Sequence, residues 1–137
     1  MKAYIAISFS KRQLMDKEIA AIMDTLNAFK IASFVFVDHY KFDLSEERQM
    51  MQQAMTEVDQ CDLLLAETSD KGIGIGIEVG YAKAKGKPVI YLRQKDAAHS
   101  STVSGISDFQ IIYLDRSELQ VKLAAVLREI KKSFKTQ

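Results

Sequence analysis

Five short apolar segments alternate along the chain with longer segments of helical periodicity, and this alternation limits the possible folds more than any other feature. The predicted strands lie at residues 3–9, 33–38, 62–67, 89–92 and 110–114. Such alternation is typical of a parallel sheet, because parallel strands need long crossover connections. We therefore expect a three-layer α/β/α fold with five parallel strands in the flavodoxin-like order 2-1-3-4-5. The length of 137 residues predicts a single domain over residues 1–137.

The helices are predicted from apolar residues that recur at steps of three and four. The first such stripe predicts a helix over residues 12–29. Ser45 is the expected N-cap of the second helix, because serine is favoured at that position and two acids follow it. The glycines at 72, 74 and 76 predict a turn into a third helix, which Gly86-Lys87-Pro88 ends near residue 85. A last helix is expected between residues 119 and 134.

The composition excludes several classes of function. Lys and Arg total 19 against 18 Asp and Glu, so neither a broad positive field nor a nucleic acid polymer as partner is expected. The apolar stretches are shorter than the roughly 20 residues that span a bilayer, so we expect a cytoplasmic protein without a membrane contact. With one cysteine and two histidines far apart, neither a disulfide nor a metal site is expected.

Ligands of open parallel sheets bind beyond the carboxyl ends of the strands, where consecutive connections diverge to opposite faces. This rule selects the candidate site before any motif is considered. It points to residues 8–12, 38–43, 67–78 and 93–104, which follow the first four predicted strands.

Glu78 is the most informative residue in these segments. Its neighbours one helical turn away are Gly74, Ile75, Tyr81 and Ala82, so the carboxylate is not on a polar helix face. We expect it to point into a cleft, although a first-turn acid favoured by the helix dipole is the alternative. The Gly-x-Gly-x-Gly spacing before it matches neither a dinucleotide fingerprint nor a Walker loop, so no cofactor is predicted.

Four segments together carry a family resemblance: residues 4–8, Ala66-Glu67, residues 74–80 around Glu78, and residues 86–90. They resemble the nucleoside 2-deoxyribosyltransferase superfamily, and the short chain is most similar to its 2'-deoxynucleoside 5'-monophosphate N-glycosidase branch. The resemblance implies cleavage of the base–sugar bond of a nucleoside or its 5'-monophosphate. Glu78 would be the nucleophile that forms a glycosyl-enzyme ester, and Tyr4 would donate a hydrogen bond that keeps Glu78 ionised.

The resemblance also implies where the rest of the substrate binds. The 5'-phosphate would contact the loop after the first strand, and a neighbouring subunit of a homodimer or larger homo-oligomer would add hydroxyls from the loop after the fourth. The implied substrate-binding residues are Ser8, Ser10, Lys11, Arg12, Asp38, His39, Gly72, Gly74, Gly76, Ser100, Ser101 and Thr102. The alternative for the charged residues is a solvated loop. Tyr40 and Phe42 either stack on the base or anchor their loop to the core.

The sequence departs from the family at one important position. The acid that the family carries on its second helix falls on Ala54, and the polar residue before its glycines falls on Gly72. Either Asp38, Asp43 or Asp70 replaces the acid, or the substrate differs, or the pocket binds without catalysis. A non-catalytic nucleotide or phosphosugar binding module is therefore the second hypothesis. A receiver-like domain is disfavoured, because its clustered acids are missing after the first strand.

Overall fold

The computed structural model describes residues 1–135. Five parallel strands form one sheet in the order β2-β1-β3-β4-β5, which confirms the predicted architecture and strand order. The strands are β1 (Lys2–Ile7), β2 (Ala32–Val35), β3 (Leu63–Glu67), β4 (Val89–Gln94) and β5 (Phe109–Tyr113). The helices are α1 (Asp16–Ala28), α2 (Phe36–His39), α3 (Glu47–Asp59), α4 (Ile73–Ala84), α5 (Ser101–Ile106) and α6 (Arg116–Lys135).

The two faces of the sheet bury separate apolar clusters. Side chains alternate across a strand, so Ala3, Ile5 and Ile7 of β1 face one helix layer while Tyr4 and Ala6 face the other. The first layer is α1 and α6, whose apolar stripes contribute residues such as Ile22 and Leu123. The second layer is formed by α3, α4 and α5. The alternation thus sends the Tyr4 ring toward α4, the helix that carries Glu78.

The Gly86-Lys87-Pro88 segment has a structural role. Gly86 adopts φ +75°, a left-handed conformation that closes α4 at little cost for a glycine. The Lys87 ammonium donates hydrogen bonds to the carbonyl oxygens of Val58, Asp59 and Cys61. A cation is favourable at a helix C-terminus, so Lys87 stabilises the end of α3 beside the turn into β3.

The second predicted strand is too long at its end. β2 stops at Val35, and Phe36–His39 forms one helical turn in which the Tyr40 amide donates to the Phe36 carbonyl. The reason is aromatic packing, since the turn brings the Phe36 and Tyr40 rings to 5.1 Å between centroids. The first helix is also shorter than expected, because two 3-10 turns, Phe9–Lys11 and Gln13–Met15, precede α1.

Ser45 is not a helix N-cap, and this prediction was wrong. Asp43 caps the 3-10 turn Leu44–Glu46 before α3, accepting from the Ser45 amide, while the Glu46 carboxylate accepts from the Asp43 amide. This reciprocal capping box satisfies two free amides at once, which a serine in the middle of the turn cannot do.

The predicted glycine-rich turn extends too far along the chain, because α4 already starts at Ile73. Gly74 and Gly76 lie inside α4, and Gly72 alone occupies its N-cap position. A Cβ atom added at Gly74 or Gly76 would meet no atom within 4 Å. These glycines therefore leave open space beside the helix, and no close backbone contact requires them. The loop after the fourth strand also contains a helix that was not predicted, α5.

Candidate active site

The candidate site lies where β1 and β3 end side by side. These strands are adjacent in the sheet, but β1 leads to α1 on one face and β3 leads to α4 on the other. The divergence leaves a crevice at the carboxyl edge, as expected for an open parallel sheet. It holds a cavity of about 300 Å³. Its lining comes from the end of β1, α2 and the loop after it, α3, and the first turns of α4: Ile7, Ser8, Phe9, Phe36, Val37, Tyr40, Phe42, Met50, Met51, Ala54, Gly72, Gly74, Ile75 and Glu78.

Glu78 lines this cavity and is hydrogen-bonded to the buried Tyr4. The Tyr4 hydroxyl donates a hydrogen bond to Glu78 Oε2, and Tyr4 itself is fully buried. Burial raises the pKa of Glu78 to about 7, because a low-polarity environment disfavours the charged carboxylate, while the Tyr4 hydrogen bond acts in the opposite direction. The pKa of Tyr4 is also raised, mainly by burial and then by the nearby carboxylate. Tyr4 is therefore a neutral donor, and Glu78 changes charge near neutral pH.

Aromatic and sulfur-containing side chains form much of the cavity wall. Phe36 stacks on Tyr4 at 6.4 Å and on Phe42 at 6.3 Å between ring centroids. Tyr40 closes the group, and its hydroxyl donates to Glu57 at 2.8 Å. Met50 and Met51 add flexible apolar surface from α3. We call the part of the cavity formed by Phe36, Tyr40, Phe42, Met50 and Met51 the aromatic chamber. A flat apolar ring fits such a chamber.

Ser8 and Ser10 are hydrogen-bonded to a carboxylate. The Ser8 hydroxyl donates to Asp70 Oδ2 at 2.5 Å, and the Ser10 hydroxyl donates to the same oxygen at 3.2 Å. These bonds, together with the charge of Lys11, lower the pKa of Asp70. The loops after β1 and β3 are thus joined across the sheet edge by an ionised acid.

Arg12, Asp38 and His39 are engaged outside the cavity. The Arg12 guanidinium donates to both carboxylate oxygens of Asp38, at 2.9 and 2.8 Å, and to Asp16 at 2.7 Å. The His39 ring stacks on Phe34 with 4.6 Å between centroids. The predicted anion contact of Arg12 is therefore occupied by two carboxylates of the chain itself.

Gly76, Ser100 and Thr102 line a neighbouring cavity of about 310 Å³. It meets the Glu78 cavity at Gly72 and Ile75, which line both. Ser101 is exposed and lines neither. The amide of Ser100 donates to the buried Tyr91 hydroxyl at 3.1 Å, which holds the start of α5 in place.

A larger cavity of about 470 Å³ lies at the amino edge of the sheet, beside Pro88 and Asp108, away from the strand ends where ligands are expected.

Ala54 lines the cavity. The acid that the family resemblance led us to expect at this position is therefore absent from the cavity wall. Asp43 caps a helical turn, Asp38 is paired with Arg12, and Asp70 is bound by two serines. Glu57, one turn beyond Ala54, accepts from Tyr40 and from Gln53. Among the lining residues that the structure describes, Glu78 is the only carboxylate.

Two features of the site were not predicted. Phe36 was assigned to a strand, so its place in the aromatic chamber was missed, although the aromatic spacing of Phe36, Tyr40 and Phe42 was visible in the sequence. The contact between Asp70 and Ser8 joins residues 62 positions apart. No local pattern indicates it.

Over residues 1–135, no helix is long and apolar enough to cross a membrane. The same residues contain no group of three or more acidic, histidine or cysteine side chains suited to a metal ion.

Comparison with known proteins identifies the family. Residues 3–124 match the family model described as nucleoside 2-deoxyribosyltransferase. The chain belongs to this family. The match spans the site loops from Ser8 to Thr102 and includes Tyr4 and Glu78, so the geometry described above is that of a nucleoside 2-deoxyribosyltransferase family member.

Individual known proteins are also similar to this chain, one in sequence and two in fold. A Thermofilum pendens protein, whose name describes it as a 2'-deoxynucleoside 5'-phosphate N-hydrolase, is 32% identical over 85 residues. That alignment covers 58% of this chain and 59% of the relative's length. A CMP N-glycosidase from Clostridium botulinum has the same fold, with TM-score 0.66 and 23% identity, over 90% of this chain and 98% of its own. A 2-deoxyribosyltransferase from Bacillus psychrosaccharolyticus is 16% identical with TM-score 0.66, over 88% and 90% of the two chains.

Proposed function

We propose that the protein is an N-glycosidase or deoxyribosyltransferase that cleaves the base–sugar bond of a nucleoside or nucleotide, with Glu78 as nucleophile. The observation that supports this most directly is the position of Glu78, a partly buried carboxylate that opens into a cavity of about 300 Å³ at the strand ends. Family membership adds support, because its printed description names deoxyribosyl transfer. A nucleophilic carboxylate is a known solution to glycosyl transfer.

The hydrogen bonding of Glu78 suits nucleophilic attack. Tyr4 binds Oε2, and no hydrogen bond to Oε1 forms within residues 1–135, so Oε1 is the oxygen we assign to attack. As the C1'–N bond breaks, its electron pair leaves with the base, and positive charge develops on the sugar. The ionised carboxylate stabilises this charge and forms an ester with C1'.

The second half of the reaction frees the enzyme. Water attacks C1', the ester bond breaks, the carboxylate is regenerated, and a proton passes to solvent. Attack by a nitrogen of another base would complete a transfer in the same way. Because no other carboxylate among residues 1–135 lines the cavity, the departing base takes its proton from water in this scheme. This favours bases that leave well, and it makes leaving-group chemistry an important part of specificity.

A base fits the aromatic chamber in this scheme. Rings of Phe36, Tyr40 and Phe42 offer stacking faces, while the two methionines adapt to different ring sizes. The sugar then lies between the chamber and Glu78, with its 5' end toward Ser8, which lines the same cavity.

We also propose that the active form is a homodimer. Ser100 and Thr102 lie in the neighbouring cavity and do not line the Glu78 cavity of their own chain. Their predicted contact with substrate requires a second copy that presents the loop after β4. Ile73, which lines this cavity, and Ile77, one turn further along α4, are exposed apolar surface that a second copy would cover. Size-exclusion chromatography with light scattering tests the mass directly.

The activity is tested by chromatography of free base after incubation with a panel of nucleosides, 2'-deoxynucleosides and their 5'-monophosphates. Base release at a rate that scales with enzyme concentration supports the proposal. Addition of a second base separates transfer from hydrolysis, since transfer yields a new nucleoside. Tight binding of panel compounds without any base release would instead support the non-catalytic binding module. That alternative is motivated by Ala54, which lines the cavity where an acid was expected.

Substitution of Tyr4 by Phe is expected to move the acid limb of the pH–rate profile upward. The hydrogen bond from Tyr4 lowers the pKa of Glu78, so its loss raises that pKa above about 7. Glu78 must be ionised to attack, so kcat/KM at pH 7 should fall about tenfold and recover at higher pH. An acid limb at the same pH in both proteins would contradict the Tyr4–Glu78 coupling.

A further inference from the structure

The carboxylate of Asp70 occupies the place where a 5'-phosphate was expected. Its Oδ2 atom accepts hydrogen bonds from both Ser8 and Ser10, whose hydroxyl oxygens lie 3.1 Å apart. Two hydroxyls that converge on one oxygen form a small anion site. In this chain the anion is already supplied by the protein.

The position of Asp70 brings this charge close to the substrate. Ser8 lines the Glu78 cavity and also an adjoining cavity of about 290 Å³, which Asp70 and Lys11 line as well. A sugar bound at Glu78 would therefore direct its 5' end at the Ser8–Asp70 pair. The balance of charge there does not favour an anion, because the ionised Asp70 lines the adjoining cavity and Lys11 is its only cation among the described residues. Arg12, the next cation along the chain, is bound to Asp38 and Asp16.

We infer that Asp70 determines specificity at the 5' end, so that the site selects an uncharged 5'-hydroxyl and discriminates against a 5'-phosphate. This inference rests on the proposed function. A phosphate at Ser8 would lie within hydrogen-bond range of an ionised carboxylate and would have to compete for the same two hydroxyls. A 5'-hydroxyl, in contrast, can donate to Asp70 without adding charge. The inference departs from relatives whose names specify a 5'-phosphate or CMP substrate.

The kinetic test compares matched 2'-deoxynucleosides and their 5'-monophosphates as substrates of the unsubstituted protein and of Asp70→Asn. We expect the unsubstituted protein to prefer the nucleoside by at least about tenfold in kcat/KM. Asp70→Asn keeps the side-chain shape and removes the charge, so this preference should shrink at least about tenfold, chiefly through faster monophosphate cleavage. Asp24→Asn removes an equal charge from the exposed face of α1 and should leave the ratio unchanged.

The binding test separates this inference from the proposed activity. Calorimetry with Glu78→Gln, and with Glu78→Gln combined with Asp70→Asn, measures affinity for the same nucleoside and monophosphate pairs without requiring turnover. Tighter nucleoside binding that Asp70→Asn equalises supports the inference even if the protein releases no base. If Glu78→Gln with Asp70 intact binds the monophosphate as tightly as the nucleoside, or more tightly, the inference is overturned. Absence of binding to both ligands overturns it as well. Base release from both ligands at equal rates overturns the inference and leaves the proposed activity standing.

Discussion

Substitution of Glu78 by Gln is expected to lower base release by at least about a thousandfold while changing substrate affinity little. Glutamine has nearly the same shape, but it carries no charge to stabilise the developing cation and forms no stable ester with C1'. Steady-state kinetics would give the loss in kcat, and calorimetry would give the affinity. Glu78→Gln with kcat near that of the unsubstituted protein would exclude Glu78 as the nucleophile.

The same substitution is expected to stabilise the protein at high pH. The pKa of Glu78 is about 7 in the folded protein and near its ordinary 4.5 in the unfolded chain. Between these pH values the folded state binds more protons than the unfolded state, so the free energy of unfolding falls as pH rises through this window. Above pH 7 the full penalty of the buried charge is present. Glutamine removes it, and we expect a gain of about 2 kcal/mol at pH 8.

This stability difference provides its own control. It should be much smaller at pH 5 than at pH 8 and approach zero below pH 4.5, where the unfolded chain also holds its proton. Glu129→Gln, at an exposed position on α6, should show no comparable pH-dependent gain. Denaturant unfolding at pH 5 and pH 8 measures both effects. A gain of equal size at the two pH values would mean that the charge of Glu78 is not the cause.

The fold could be predicted from the sequence because periodicity and burial coincide along most of the chain. The stripe of Ile19, Ile22 and Leu26 predicted α1, and these residues are buried against the sheet. The errors occur where a specific tertiary or local contact outweighs the pattern. Phe36 continues an apolar run, but aromatic packing turns it into a helix. Asp43 replaces Ser45 as a cap because Glu46 returns a second hydrogen bond.

The site was predictable only in part, for a related reason. The family resemblance indicated Tyr4, and a carboxylate among apolar helix positions indicated Glu78; in the structure, Tyr4 lies on the face of β1 that packs toward α4. Contacts between distant loops leave no such trace. Ser8 and Lys11 had the composition of an anion site, but the partner that decides its charge, Asp70, comes from the loop after β3. Arg12 had the same composition signal and is neutralised by Asp38 instead.

Removal of the Phe36 ring should weaken substrate binding because this side chain connects the chamber to the catalytic pair. Phe36 contacts the rings of both Tyr4 and Phe42, and it lines the cavity that Glu78 enters. Stacking of a base on one aromatic ring contributes about 1–3 kcal/mol. Phe36→Ala is therefore expected to raise KM for the preferred nucleoside by about tenfold to a hundredfold.

The matched control for Phe36→Ala is Phe29→Ala. Phe29 is a half-buried aromatic side chain that packs against the α1–α6 layer, on the other face of the sheet. Both substitutions remove a ring from a partly buried position and should destabilise the fold by similar amounts, but only Phe36→Ala should raise KM. Substitution of Phe36 by Leu keeps apolar volume without a stacking face, so a KM close to that of Phe36→Ala would assign the effect to stacking. An unchanged KM in Phe36→Ala would place the base elsewhere, because the ring that bridges Tyr4 and Phe42 cannot be lost from a stacking chamber without cost.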